Sequence, residues 1–490
     1  MNEQRQPVEC SSTAPEACRN WEPGELKQIA HIKRFLECVQ GDPEFRGQLE
    51  ERPEDCLDIA VSRGIQIDPT EIEMLWKNGR PACVEPEELR TSPLGSLWAD
   101  WIDARKAAIA EYRKSVSEAI PNRRFKAWHM RQVARCGFEV GTPNDLRGHS
   151  VLVFELTKGC SVGCWFCGLD AGRLQGIFRR TPENRRLWRE ILRVCREELG
   201  ESARGGFCYW ATEPSDNPDY LDFLEDFRDL MGVVPGTTSA AWPRDLDWTR
   251  KLVRRARSGN RRGCRFSITN LQDLHTIHEL FTPEKLLTVE LILQNTEALV
   301  PFRTSGRYRE LWNSDSPPPG YTDEEPNPST IACVSGFLVN MVDKTIRLVS
   351  PCYSTDNWPL GYRVYWEGTF SGPDSFRVCV RQAIDDVMHD GLKGGQVLSF
   401  HCALSYERLP EGFNLESIFR KTTITGKASL GAIGDLIAEG RHTTAEIIEA
   451  VTEAGHDYFQ VIGALQHVFQ KGLIDDDPAR EQRYEAKETA

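Results

Sequence analysis

Between residues 150 and 300, short apolar runs alternate with stretches of helical periodicity. Val151 to Leu156 (VLVFEL) is a nearly continuous β-type run bounded by Thr157 and Gly159, and reads as a buried strand. A helix is expected from about Thr181 to Leu199, started by Thr181-Pro182 with Glu183 in its first turn. Gly206 to Ala211 reads as a second strand with a polar exit, followed by a helix from near Pro218. GVVPGTTSAAWPRD repeats the strand-then-polar-exit arrangement, and Arg265 to Thr269 and Leu287 to Leu293 are further strands. Strands separated by helix-length connectors imply an α/β fold with a parallel sheet and ligand-binding residues at the carboxyl ends of strands. The expected form is a partial (β/α)6 barrel rather than a closed eight-fold one.

On either side the pattern changes. Residues 25 to 39 carry helical periodicity, with Ile29, Ile32, Phe35 and Leu36 available for one face, and Asp42-Pro43 opens a second helical piece. Gly64 reads as a helix stop and Asp68-Pro69 as a new start. Residues 77 to 95, rich in Pro and Glu, read as a linker before a long charged helix from about Leu97 to Ser115. Residues 122 to 136 (NRRFKAWHMRQVARC) form a basic helical stretch, either a solvated face or a surface that receives an acidic peptide. Residues 312 to 330 form a Pro-rich acidic loop. IACVSGFLVNMVDKTIRLVSPC reads as two strands in a hairpin around Asp343-Lys344, with Cys352 just past its end, and residues 374 to 390 read as helical. From near Lys421, helical patterns at Leu430 to Glu439, Thr444 to Thr452 and His456 to Lys471 end in GLIDDD. Short helices with an apolar strand-like end resemble a small winged-helix domain. Its DYFQVIGALQHVFQ helix has no Lys or Arg, which favours peptide binding or domain packing over DNA.

Charge narrows the partners. Sixty Lys and Arg against 73 Asp and Glu leave a formal charge of -13, which argues against a general nucleic-acid binder. No apolar run approaches a membrane span, and MNEQRQPVECSS lacks the apolar segment of a secretory signal. Sixteen cysteines without a compact disulfide pattern suit a reducing, cytoplasmic setting.

Three of those cysteines, Cys160, Cys164 and Cys167, fall within eight residues directly after the first strand. Soft thiolates select zinc, copper(I) or iron–sulfur clusters. A structural zinc wants a fourth ligand nearby, and the next cysteine, Cys195, lies in a helix-like run. Three thiolates fit a four-iron cluster with one iron left open. C-x3-C-x2-C after a strand, with Phe166 before the third cysteine, resembles the cluster loop of the radical S-adenosylmethionine (SAM) enzymes. That resemblance implies one [4Fe-4S] cluster, SAM as cosubstrate, and Phe166 near the adenine. It also implies Glu213 near the SAM amino group, although ATEP departs from the usual Gly-Gly-Glu form. Thr237, Thr238 and Ser239 resemble the hydroxyl-rich segment near the sulfonium and ribose, with Ser267 and Gln294 as weaker candidates. Each of these polar residues alternatively serves only a turn or loop, and Tyr209, Trp210 and Trp242 read as core.

YWATEPSDNPDY, GTTSAAWPRD and SPCYSTDNWPLGYRVYWEGTF extend the likeness, over roughly residues 148 to 385, to the radical SAM peptide epimerases that mature ribosomal natural products. The resemblance implies conversion of L-residues of a leader-bearing precursor peptide to D-residues, with a flavodoxin- or ferredoxin-type electron donor. A 5′-deoxyadenosyl radical would remove an α-hydrogen, and a cysteine thiol would return hydrogen to the opposite face. Cys352 is the expected donor and Cys333 the runner-up, whereas Cys208 and Cys264 read as inert core. Residues 35 to 68 resemble a precursor-peptide leader fused to the enzyme, or form a plain helical bundle. The expected division is a disordered 1–22, a helical leader-like or peptide-binding region 23–145, the barrel 146–350, an extension of the catalytic domain 351–420, a winged-helix-like domain 421–480 and a disordered tail 481–490. One alternative is a peptide-crosslinking enzyme with a second cluster on Cys333, Cys352, Cys379 and Cys402. A non-enzymatic, metal-stabilised peptide-binding protein is the other.

Overall fold

The computed structural model describes residues 21–77, 86–141, 147–257, 263–300, 302–314 and 330–479. The expectations for 1–20, for the linker at 78–85, for most of the acidic loop (315–329) and for the 481–490 tail lie outside the described residues. The N-terminal region begins with α1 (Pro23–Gly41), α2 (Pro43–Glu51) and α3 (Cys56–Ser62). Asp42 caps α2 by accepting from the backbone N–H groups of Glu44 and Phe45. Gly64 ends α3 at φ +70°, as its residue type leads one to expect. After Asp68 the chain forms a 3-10 helix, Pro69–Leu75, instead of an α-helix. Phe35 packs edge-on against Phe45 and Trp76 at the centre of a separate small core. The described part of the expected linker is helical: α4 (Pro86–Leu89) leads into α5 (Pro93–Glu118), which Ser92 caps.

The basic stretch becomes α6 (Arg123–Glu139), and most of its charges are engaged within the fold, although Arg123 stays largely exposed. Arg131 and Arg135 are buried, and Arg124 bonds the Met388 carbonyl oxygen and Asp385. The later part of the chain supplies the acceptors, which residues 122 to 136 alone do not reveal.

Next come β1 (Ser150–Glu155), β2 (Thr157–Lys158), β3 (Gly176–Ile177), α7 (Pro182–Leu199) and α8 (Tyr220–Met231). They are followed by β4 (Thr237–Ser239), α9 (Leu246–Arg257), β5 (Cys264–Ile268), α10 (Leu271–Leu280), α11 (Pro283–Leu286), β6 (Val289–Leu293) and α12 (Gly306–Trp312). β4, β5 and β6 form a parallel sheet in that order. The expected hairpin is present as β7 (Val334–Asn340) and β8 (Thr345–Pro351), and β9 (Tyr362–Thr369) continues it. This second sheet runs β1-β7-β8-β9, with β7 parallel to β1. Gly336 permits that pairing, because a Cβ there would lie 2.2 Å from the Val151 carbonyl oxygen.

Two sequence expectations shift. Gly206 to Ala211 is not a strand but a single parallel bridge, Val153 to Phe207. Tyr209 and Trp210, although adjacent, join one apolar cluster, and the period of two in a strand does not allow that. Thr237–Ser239 forms the third strand itself rather than its exit, after Pro235 and Gly236 interrupt the apolar run before it.

The strands separate two apolar layers. Leu152, Phe154, Phe266, Phe337 and Val339 pack outward beneath the helices, with Trp188 and Trp128. Val153, Phe207, Leu338 and Tyr362 form the inner cluster. The two sheets share this interior, because Arg265 of β5 bonds the Tyr209 hydroxyl beside Phe207.

α13 (Pro373–Val387) covers the outer layer. An antiparallel sheet follows, β10 (Ser405–Leu409), β11 (Gly412–Glu416) and β12 (Lys421–Thr425), and then α14 (Ala428–Glu439), α15 (Thr444–Glu453) and α16 (Tyr458–Gln470). Leu398, Phe400, Phe413 and Leu415 share one core with these helices, so the packed unit starts well before residue 421. Its seam against α6 and β9 is charged. Arg363 Nη1 donates to Asp476 Oδ1 at 2.9 Å, Arg363 Nη2 lies 2.7 Å from His401 Nε2, and Glu139 lies between Arg135, Arg363 and His401.

Arg363→Ala removes the cation shared by Glu139 and Asp476 and is expected to cost roughly 3–5 kcal/mol, read as a lower denaturant midpoint. Acid has a defined effect as well. Burial pushes the His129 and His278 imidazoles down to about 4 from 6.5. Below pH 6.5 the unfolded chain takes up protons that the fold refuses, so stability falls from about pH 6.5 to pH 4. The expected loss is on the order of 1–3 kcal/mol, seen as a falling Tm across that window.

Candidate metal and cofactor site

The loop after β1 is shaped before any ligand arrives. Gly159 takes φ +79°, and a Cβ there would lie 2.2 Å from the Arg173 carbonyl oxygen. Cys160 N–H then donates to the Gly172 oxygen at 2.9 Å, closing the loop at its base. Arg307 clamps the other side: Nη1 reaches the Cys164 oxygen at 3.0 Å, Nε reaches Asp170 at 2.8 Å and Nη2 bonds the Ala171 oxygen. The Arg307 backbone N–H also donates to the Cys167 oxygen at 3.0 Å. Phe166 stacks on Phe302 at 5.0 Å and Trp165 meets the same ring at 4.9 Å, filling the space beneath the loop.

Cys160, Cys164 and Cys167 are free and partly exposed. Val162 N–H points at Cys160 Sγ and Ala171 N–H at Cys167 Sγ, each at 3.4 Å. Burial pushes the Cys164 thiol up to about 11, and the neighbouring Cys167 and Cys160 add to it, which places the three sulfurs in one field. Among the described residues, no group of three or more His, Cys, Asp or Glu side chains is arranged for a single metal ion. A cubane cluster asks for something different, one thiolate per iron at three corners, with N–H groups directed at the sulfurs. Three uncommitted thiols on a clamped loop fit that requirement.

Glu213 lies on the same side. It is 2% exposed, yet its charge acts on both Cys160 and Cys164. Its Oε1 accepts from Ser215 N–H and Oγ–H and from Ser239 Oγ at 2.6 Å, while Oε2 accepts from the Ala240 and Ala241 N–H groups. Glu213 therefore ties the exit of β4 to the turn at residues 213–215. Asp216, one turn on, accepts from Ser161 N–H and Oγ–H, and Arg244 donates to the same hydroxyl.

The remaining expected SAM contacts separate by face. Thr238 accepts from Arg265 Nε at 3.0 Å on the inner side, and Ser267 shares that face of β5 with Arg265. Thr237 points the other way, to the buried Tyr220 hydroxyl at 3.0 Å. Gln294 stands at the end of β6, its N–H bonded to the Ile268 oxygen. Trp242 is core of the outer layer, and Trp210 with Tyr209 packed against it is core of the inner cluster, as expected.

Sequence reasoning missed Arg265, Arg307 and Glu155. Arg265 was legible, since CRFSI alternates polar and apolar residues and its polar positions face inward. Glu155 ends β1 and accepts from Ala211 N–H and Asn340 Nδ2, with burial raising its pKa. Arg307 carries no local signal, because its partners lie 136 to 143 residues away.

The two donor candidates differ in access. Cys352 is 1% exposed and follows Ser350 on the face of the sheet that α6 covers. Burial, with Glu139 next, pushes its thiol well up, so it stays S–H at any physiological pH. Cys333 is partly exposed in the inner cluster that also holds Cys167, and its charge acts on Arg265. Cys208 and Cys264 are buried, as expected. Cys379 is on the buried side of α13 and Cys402 is exposed, so Cys333, Cys352, Cys379 and Cys402 are dispersed rather than gathered at one site.

The fold and site describe a mixed α/β protein with a three-cysteine loop at the end of its first strand. Across 456 residues it is 34% identical to a Sinorhizobium fredii (strain NBRC 101917 / NGR234) protein recorded as "Uncharacterized protein y4wI", covering 93% of this chain and 89% of that one. The chain belongs to the y4wI family. Residues 398–472 match the model of the protein y4wI C-terminal domain, the same unit whose core begins at Leu398. No solved structure matches. Among the described residues, no helix is long and apolar enough to cross a membrane.

Should Cys160, Cys164 and Cys167 hold iron as the sequence resemblance implies, Arg307→Ala, which frees their loop, is expected to weaken its retention on the order of 10-fold. Iron and sulfide analysis after anaerobic reconstitution and a chelator challenge reads this directly.

Proposed function

We propose that the protein is a radical SAM peptide epimerase that converts L-residues of a ribosomally made, leader-bearing precursor peptide to D-residues in the cytoplasm. The reading takes β1, the Phe207 bridge, β4, β5, β6 and β7 as the strands of a partial (β/α)6 barrel, and the C-terminal unit as winged-helix-like. One observation carries it: three free thiols on a clamped loop after β1, facing the Glu213–Ser239 pair. Cys160, Cys164 and Cys167 would hold one [4Fe-4S] cluster, with SAM against Phe166, Thr238 and Ser267. Bound there, the cluster and SAM supply one-electron hydrogen-abstraction chemistry.

The chain itself must do the rest. Glu213 fixes the β4 exit beside the loop, and Arg265 with Tyr209 orders the inner face. A thiol returns hydrogen to the opposite face of the substrate α-carbon, because N–H and carboxylate groups are poor hydrogen-atom donors. Cys352 is the donor that the family resemblance selects, and its burial preserves the S–H bond. Cys333 is the thiol with access to the interior. The donor cysteine, left as a thiyl radical, takes one further electron and a proton before the next turnover, and a flavodoxin- or ferredoxin-type protein delivers the electrons.

Co-expression with a precursor peptide in deuterated water tests the assignment. The expected product gains one mass unit per epimerised residue and shows D-residues on chiral analysis. Cys352→Ala abolishes that product while SAM cleavage persists; if Cys333→Ala does so instead, the donor is Cys333. An unlabelled loss of two mass units points to crosslinking and ends the epimerase reading.

A further inference from the structure

One face of α7 departs from the acidic character of the chain. A groove of about 340 Å3 on it is lined by Pro182, Arg185, Arg186, Arg189 and Arg193. Asp226, almost fully buried, meets Arg189 at 2.6 Å, Arg180 at 3.0 Å and Arg185 at 3.3 Å. A single carboxylate thus orients three guanidinium groups and neutralises one of them, although Arg189 also lies 3.6 Å from Asp229. Arg186 and Arg193 are exposed and have no hydrogen-bond or ion-pair partner among the described residues. Two carboxylates near the C-terminal end of the same helix are engaged by α13, Glu197 with Arg377 and Glu198 with Arg377 and Arg381. The excess positive charge is therefore local and held in place by the pairing pattern.

Its position is informative. β3 pairs with β2 through Thr157 and Ile177, and α7 starts five residues after Ile177. The groove thus begins on the helix that leaves the base of the cluster loop. Arg180 and Arg179 tie this junction to Asp226 and Asp219.

We infer that the groove is the docking surface for a small acidic one-electron carrier protein of the flavodoxin class. The inference rests on the proposed function, which needs one electron delivered to the cluster loop; the carrier is oxidised by one electron as the site is reduced by one. Preset guanidinium groups suit carboxylates, and less side-chain freedom is lost on docking.

The test uses the full-length protein and flavodoxin as the probe. Arg186→Glu with Arg193→Glu changes two exposed side chains that hold no part of the fold, and Arg186→Lys with Arg193→Lys is the conservative control. By interferometry, wild-type protein is expected to bind flavodoxin more weakly as salt rises, the reversal to lose on the order of tenfold or more, and the lysine pair to keep most of the affinity. Flavodoxin-supported SAM cleavage should fall in parallel, while dithionite-driven cleavage is unchanged. Equal flavodoxin binding by wild type and reversal overturns the inference. So does an RNA oligonucleotide that binds these arginines more tightly than flavodoxin. Failure of wild type to cleave SAM even with dithionite would defeat the proposed function instead, and the binding comparison would still decide the groove.

Discussion

Glu139 has almost no contact with water, and its charge is tolerable only because other groups come to it. Burial alone would raise its pKa, but Arg135, Arg363 and His401 outweigh that and hold the carboxylate ionised. Each partner arrives from a different place: α6 itself, β9, and the segment leading into the C-terminal sheet. Asp476 and Gln132 complete the set, with Tyr365 donating to both. Isolated charges inside a protein are expensive, and a buried group of this kind fixes geometry more than it adds stability. The seam sets where β8 and β9 lie against α6, and with them the position of Cys352.

The candidate site is organised by the same logic on a smaller scale. Two groups, Glu213 and Arg307, satisfy backbone atoms from segments that would otherwise move independently. Glu213 binds the β4 exit, and Arg307 binds three points of the cysteine loop. Neither needs to touch a reacting atom to matter. The loop reaches the geometry it needs because polar groups behind it have no better partner, and the aromatic packing of Phe166 on Phe302 keeps water from competing for them.

Much of this was legible in the residues. The hairpin at Asp343-Lys344 announced itself through alternating β-type residues around a polar turn, and Lys344 does take φ +56°. Thr181 and Asp68 both cap as their positions indicated. The three-cysteine loop was visible from its close spacing directly after a strand. What was not legible depended on distant partners. The five Arg and Lys residues between 122 and 136 read as solvent-facing, yet Asp385 and Met388 come to meet Arg124, and Asp476 comes to meet Arg135. The sheet at 405–425 was missed because SYERL and KTTIT are short and polar, and their pairing is fixed by Phe413 and Leu415 on the central strand. Gly206 to Ala211 looked like a strand because Tyr209 and Trp210 are good β-formers, yet the interior takes both rings.

The reach of the Glu139 seam also bears on how the chain is made. Gln132 bonds Asp476, 344 residues later. At about 5–20 residues per second, α6 leaves the ribosome tens of seconds before its last partner exists. Throughout that interval the Arg135–Glu139 turn has no finished cavity to enter, although Phe337 and Tyr365, the ring partners of Phe125 and Trp128, emerge earlier. The charged side of α6 thus stays incompletely paired until Asp476 has been made, a period in which a chaperone has something definite to grip.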